Sequence, residues 1–269
     1  MTDEAQSESP QAGEAMHPHR PKPVHGWGEL AREIAIIVVG IIIAIGLEQT
    51  VEFFHHNHQR EELEAALQRD GKANTTYLKD DMLDAEVIVD WAQSQAEAVE
   101  RAGPTGPLIL RRKPDAGIGA PDAGVWPSAK ASGLTNLLPP SAQNWLEYLA
   151  EEFNDTFTSS ASATGRLYAG YAALDQDLVG RAAATRSGDL DLTALTPAQR
   201  ALVVEHLRAI AEHARDVLRQ LIVDAAGNEF ILTTPLGQLD TPAASVRYAR
   251  IHKAMRQAYP AAGLSFAGR

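Results

Sequence analysis

Ile34-Ala35-Ile36-Ile37-Val38-Val39-Gly40-Ile41-Ile42-Ile43-Ala44-Ile45-Gly46-Leu47 is a run of fourteen residues without one polar side chain. A helix in the core of a small domain keeps a polar stripe toward water, and this run has none. A bilayer asks for about 20 residues. The run reaches that length by continuing through Gln49, Thr50 and Val51 to Phe53-Phe54, with Glu48 and Glu52 as its acidic interruptions. Trp27 before it and Phe53-Phe54 after it stand where interfacial aromatics sit. The stretch is therefore read as a transmembrane helix over residues 28–54. Its alternatives are a buried core helix, for which 10–14 apolar residues suffice, and a cleaved signal peptide. Ala44-Ile45-Gly46 has the small-x-small form of a cleavage site. Against cleavage stand the 33 preceding residues with their six acidic side chains, and the expectation is a retained anchor.

Lysine and arginine near the run set its orientation. Arg20, Lys22 and Arg32 lie on the N-terminal side and Arg60 alone on the other. Three against one keeps the N-terminus cytoplasmic and sends the C-terminal part across. In a bacterium this means an inner-membrane anchor with a periplasmic domain.

Composition narrows the function classes. Over 269 residues, 24 Lys and Arg face 35 Asp and Glu, for a net charge of −11, which argues against nucleic acid as a partner. The absence of cysteine removes disulfide scaffolds, thiolate metal sites and cysteine nucleophiles.

Working outward from the span, residues 1–27 are rich in Glu, Ser, Pro, Gln and His and read as a disordered cytoplasmic tail. Downstream, proline is absent as far as Ala102. Leu67, Gly71, Asn74, Leu78, Met82, Ala85, Val89, Ala92, Ala96 and Val99 recur at helical spacing, opposite Asp80, Asp84, Glu86, Asp90, Glu97 and Glu100. This predicts a stalk helix over 55–102, with a break at Asp70-Gly71. Residues 103–127 hold ten Gly and Pro and read as a loop; Gly117-Ile118-Gly119-Ala120-Pro121-Asp122 within it lacks the last glycine of a dinucleotide fingerprint.

A helical bundle is expected over 128–259, then a tail over 260–269. Pro139-Pro140 opens a helix whose apolar face runs from Trp145, Leu149, Phe153, Thr156 and Ser160 to Leu167, Tyr171, Leu174 and Leu178. Thr196-Pro197-Ala198-Gln199 is a capping box with proline in the first turn. The helix behind it carries Val203, Leu207, Ile210, Ala214, Val217 and Leu221, and Gly227 is placed to end it. Glu205–Arg208, Arg208–Glu212 and Glu212–Arg215 are spaced to pair on its outer face. Thr241-Pro242 starts a last helix burying Ala244, Tyr248, Ile251, Met255 and Ala258. Phe230-Ile231-Leu232 is the main strand signal. The predicted fold is all-α: a transmembrane helix continuing into a stalk helix, then an up-and-down helical bundle.

Few constellations carry chemistry. Gly40, Ala44 and Glu48 fall on one side of the span. Small residues let helices approach closely in a membrane, so a homo-oligomer through the span is one reading; a lone helix with interfacial acids is the other. His55, His56 and His58 offer imidazoles for a metal or for pH sensing, and His206 and His213 share a helical face. A polar exit from the headgroup region and ordinary surface histidines are the simpler readings. Arg247, Arg250, Lys253 and Arg256 form a basic helix suited to anionic lipid, an acidic partner, or docking onto Asp80, Asp84 and Asp90. No nucleophile elbow, phosphate loop or metalloprotease motif occurs in the sequence, so no catalytic residue, metal ligand or cofactor is assigned.

The stretch Arg32-Glu33-Ile34-Ala35-Ile36-Ile37-Val38-Val39-Gly40-Ile41-Ile42-Ile43-Ala44, with Glu48-Gln49 behind it, resembles the opening of an uncharacterised family of bacterial single-span membrane proteins. Trp126, Ala131, Ser132, Gly133 and Leu138 are similar to a looser pattern of that family, a Trp and a small-residue turn before a helix. The resemblance implies a short N-terminal tail, one span and an extracytoplasmic helical region; it implies no activity. The expectation is a non-enzymatic module that binds a protein or a small ligand. The competing expectations are an anchored enzyme or metal-handling protein using the histidine segments, and a secreted bundle after cleavage at Gly46.

Overall fold

The computed structural model describes residues 26–121, 124–158 and 161–262. The expected tail over 1–27 thus lies outside the described residues but for Gly26 and Trp27, as do Asp122, Ser160 and the last seven residues of the expected tail over 260–269. The described residues form six α-helices: α1 (Trp27–Ala102), α2 (Val125–Ser132), α3 (Pro140–Phe157), α4 (Ala163–Leu178), α5 (Pro197–Thr233) and α6 (Pro242–Ala258). Three two-residue strands join them: β1 (Ile109–Leu110), β2 (Ala183–Ala184) and β3 (Leu190–Asp191). The fold is all-α, a long N-terminal helix followed by a helical bundle.

The chain divides into two units, Met1–His55 and His56–Arg269. In the first, α1 is exposed on every side from Trp27 to His55. In the second, residues of α1 expected as a stalk apart from the bundle enter its cores. Leu78, Met82, Ala85, Val89 and Val99 pack with Leu167 of α4 and Leu207, Ile210 and Leu218 of α5 in one cluster. Leu63 packs with Trp126, Leu146 and Phe230 in another. The α5 helix supplies both clusters.

Close approaches explain three glycines. α1 runs through Asp70-Gly71 without the predicted break. A Cβ on Gly71 would lie 3.0 Å from Leu232 Cδ2 and 3.2 Å from Asn228 Oδ1, so the glycine admits α5 rather than ending α1. Asn228 Nδ2 donates across that contact to Gly71 O at 2.8 Å and Thr75 Oγ1 at 2.9 Å. Likewise Gly227 does not end α5: a Cβ there would meet Leu149 Cδ1 at 3.1 Å, so it makes room for α3. Gly170 faces Ile210 in the same way. α5 runs to Thr233, with Pro235 two residues on; Phe230-Ile231-Leu232, expected as strand, lies inside it with Phe230 fully buried.

The helix predicted from Pro139 to Leu178 is two helices. Hydroxyls around Thr156–Thr164 compete with the backbone for hydrogen bonds. Thr158 Oγ1 donates to Asn154 O at 2.8 Å, Thr164 Oγ1 to Thr156 O at 2.7 Å, and Ser162 caps α4 by accepting from Gly165 N. The capping box at Thr196 and Gln199 is present as read. Of the three ion pairs expected on α5, Glu212–Arg215 forms, while Arg208 reaches Glu100 of α1 instead.

The segment 103–127, expected as loop, carries β1 and the start of α2. The three strands form an antiparallel sheet in the order β1-β3-β2. Arg200, in the first turn of α5, is buried with carbonyl partners alone: Gly103 and Thr193 at 3.0 Å, Leu195 at 3.3 Å and Leu192 at 3.4 Å. One guanidinium thus ties the end of α1 to the β3–α5 turn.

Candidate functional site

The anchor candidate is α1 from Trp27 to Phe54. Ile34, Ile36, Ile37, Ile41, Ile42 and Ile43 are all roughly half exposed or more, and the most apolar window of the helix has no buried residue. Helix rise gives this segment a length of roughly 40 Å, enough for a hydrocarbon core of roughly 30 Å. Transfer of its exposed Ile, Val, Leu and Phe surface out of water is worth on the order of 10 kcal/mol. Gly40, Ala44 and Glu48 lie on this exposed surface, and a Cβ on Gly40 would meet nothing within 4 Å. The face predicted for helix packing is therefore open.

The basic candidate, α6, packs on α5 through Ala244, Tyr248, Ile251 and Met255, four of the five residues predicted; Ala258 is exposed. Arg247, Arg250, Lys253 and Arg256 are exposed. Among the described residues no ion pair joins them to Asp80, Asp84 or Asp90, contrary to the docking expected. The acidic helix has another occupant. Asp84 Oδ2 accepts from Gly117 N at 3.0 Å and Asp81 Oδ1 from Gly119 N at 3.4 Å. Tyr168 of α4 closes the clamp, bonding both N and O of Ile118. The glycines of the incomplete fingerprint are thus fastened to α1 by carboxylates. Asp81 is buried, with its other carboxyl oxygen unpartnered, and burial raises it to about 6.

Among the described residues the histidines do not converge. His58 pairs with Glu62 at 3.2 Å one turn on, and His206 with Asp177 of α4 at 2.6 Å. Among the described residues no group of three His, Asp or Glu side chains is placed to hold a metal ion.

A site that the sequence reading missed lies inside the bundle. Asp224 of α5 is wholly buried. Its Oδ2 lies 2.8 Å from Thr156 Oγ1, and that same hydroxyl lies 3.0 Å from Glu152 O. A hydroxyl has one proton to give. Thr156 therefore serves both contacts when it donates to the Glu152 carbonyl and accepts from a protonated Asp224. The remaining oxygen, Oδ1, has no partner, a smaller cost for a neutral acid than for a carboxylate. Burial raises Asp224 to about 7, aided by the charges of Glu152 and Asp155 and opposed by the Thr156 and Gln220 contacts. Gln220 also bonds Glu152, and burial followed by a bond to Glu152 pushes up the Tyr148 hydroxyl. Periodicity could not flag Asp224, because it reads as one more polar residue in a mixed helix.

The Trp126 pattern takes a definite form. Trp126 is buried, its indole N–H donates to Glu147 Oε2 at 3.0 Å, and Lys130 Nζ reaches Glu147 Oε1 at 2.7 Å. Gly133 caps α2 in the left-handed region with φ of 75°, and a 3₁₀ turn over Leu134–Leu137 leads toward α3. Searches against family models, curated proteins and solved structures match nothing to this chain.

Proposed function

We propose that the chain is a single-pass membrane protein whose helical bundle acts as an interaction or sensing module without catalysis. The observation that carries the reading is the Trp27–Phe54 segment: an apolar helix exposed on all sides, more apolar surface than a soluble monomer leaves in water. The flanking charges favour a cytoplasmic N-terminus and a bundle on the far side, periplasmic in a bacterial inner membrane. The open Gly40–Ala44–Glu48 face favours a homo-oligomer through the span. The absence of any catalytic motif from the sequence supports a binding rather than a chemical role.

Alkaline carbonate washing of membranes tests the anchor: the chain stays in the pellet, and release into the supernatant overturns the reading. Orientation is tested in the same cysteine-free background. Ser187→Cys, on the exposed turn before β3, reacts with a membrane-impermeant maleimide in spheroplasts, whereas Thr2→Cys reacts only after lysis. The reverse pattern overturns the orientation and leaves the anchor standing.

A further inference from the structure

Three consecutive cations, Arg111, Arg112 and Lys113, follow β1 at the rim of a cavity of about 330 Å³. This is within the size range of small-molecule sites, roughly 300–1,000 Å³. Its floor is apolar: Leu110, Leu174 and Leu178 are buried in the bundle core. Trp91 of α1 forms one wall, and its indole N–H is satisfied by Arg111 O at 3.2 Å, so its contribution to the cavity is ring surface.

The cationic turn is held in place before any ligand arrives. Arg111 N donates to Gln95 Oε1 at 2.8 Å and Arg112 N to Asp189 Oδ1 at 2.9 Å. Lys113 Nζ sits 4.4 Å from the centre of the Tyr171 ring, an attractive arrangement that positions the ammonium. All three side chains are exposed, and among the described residues no ion pair engages them. With the backbone fixed in advance, meeting an anion costs the ordering of the cationic side chains and not of the turn. Asp115 and Asp175 also line the cavity and Asp189 lies against the turn, so three carboxylates stand around the three cations. The exposed cations can meet one or two negative charges, while the surrounding carboxylates disfavour a polyanion.

We infer that the cavity between the Arg111–Lys113 turn and α4 binds a small organic anion carrying an apolar body, its charge on the turn and its body against Trp91 and Leu174. The inference rests on the bundle alone and stands whether or not the first unit spans a membrane.

The test is titration calorimetry on the full chain in zwitterionic-lipid nanodiscs, with phenyl phosphate as the probe. Expected is saturable binding, at least tenfold weaker in the double variant Arg111→Gln, Lys113→Gln and retained in Lys113→Arg. Inorganic phosphate, lacking the ring, binds at least tenfold more weakly, and 2-phenylethylammonium does not saturate. Arg247→Gln with Arg250→Gln on α6 leaves binding unchanged, which separates the site from general surface charge. Circular dichroism verifies that each variant is folded, and the single variant Lys113→Gln, expected to bind more weakly than Lys113→Arg, carries the test if the double variant is not. The proposal is overturned if phenyl phosphate fails to saturate at millimolar concentration, if the cation binds equally well, or if a folded variant lacking one or both of the Arg111 and Lys113 charges binds as the parent does.

Discussion

Replacing Asp224 by Asn isolates the effect of one buried proton. The folded chain holds Asp224 at about 7, against an ordinary value of 3.8. Between those values the folded state keeps a proton that the unfolded state has released, so stability falls as pH rises. The contribution is fully present below pH about 4, declines across the window and is gone above about 7. At about 1.4 kcal/mol for each step of one pH, the whole window is worth about 4 kcal/mol. Asparagine is neutral at every pH and its amide can donate to Thr156 Oγ1 in place of the carboxyl proton. Urea unfolding of the full chain in detergent micelles, followed by far-ultraviolet circular dichroism at pH 4.5 and pH 8, compares parent and variant. The two should differ little at pH 4.5, and D224N should be the more stable by up to about 4 kcal/mol at pH 8. Asp81, raised to about 6, weakens both proteins over the lower part of the window and cancels in the difference. A difference that does not change with pH, or a parent that is the more stable at pH 8, would falsify the assignment of a protonated Asp224.

Two further perturbations probe the scaffold. Arg200→Met keeps most of the stem volume but leaves four carbonyls without their donor; the expected loss is about 3 kcal/mol, read as a lower denaturation midpoint, and an unchanged midpoint would show that water replaces the guanidinium. Gly71→Leu sets a branched side chain where a single Cβ already meets Leu232 at 3.0 Å, so a loss of about 2–3 kcal/mol is expected; Gly46→Leu, with open space around it, is the matched control and should leave the bundle's stability unaltered.

Much of the architecture was legible because it depends on periodicity. The step of three and four from Leu78 to Val99 marked the buried face of α1, and the capping box placed the start of α5 to the residue. Two of the errors share one cause: Gly71 and Gly227 look like local punctuation in the sequence, whereas each answers to a helix distant along the chain. The sheet went unread because two-residue strands carry no alternation, and Leu110, with Leu108 and Leu192 flanking the strands, looks like a stray apolar residue in a loop. The inner polar sites were hidden for a related reason. Nothing in a one-dimensional pattern distinguishes the buried Asp224 and Arg200 from the exposed acids and bases around them, and the Arg111–Lys113 turn acquires meaning only when Trp91 and Leu174 are brought beside it.

The bond from Asn228 to Gly71 spans 157 residues of chain, and this has a consequence for biosynthesis. At a translation rate of roughly 5–20 residues per second, the apolar stripe of α1 emerges some 8–30 s before its α5 counterpart exists. Throughout that interval the nascent chain presents a greasy ledge without its α5 mate. Its yield in the cell should therefore depend on holdase capacity and on the pace of elongation between codons 103 and 228 more steeply than the finished molecule's thermodynamic stability would suggest.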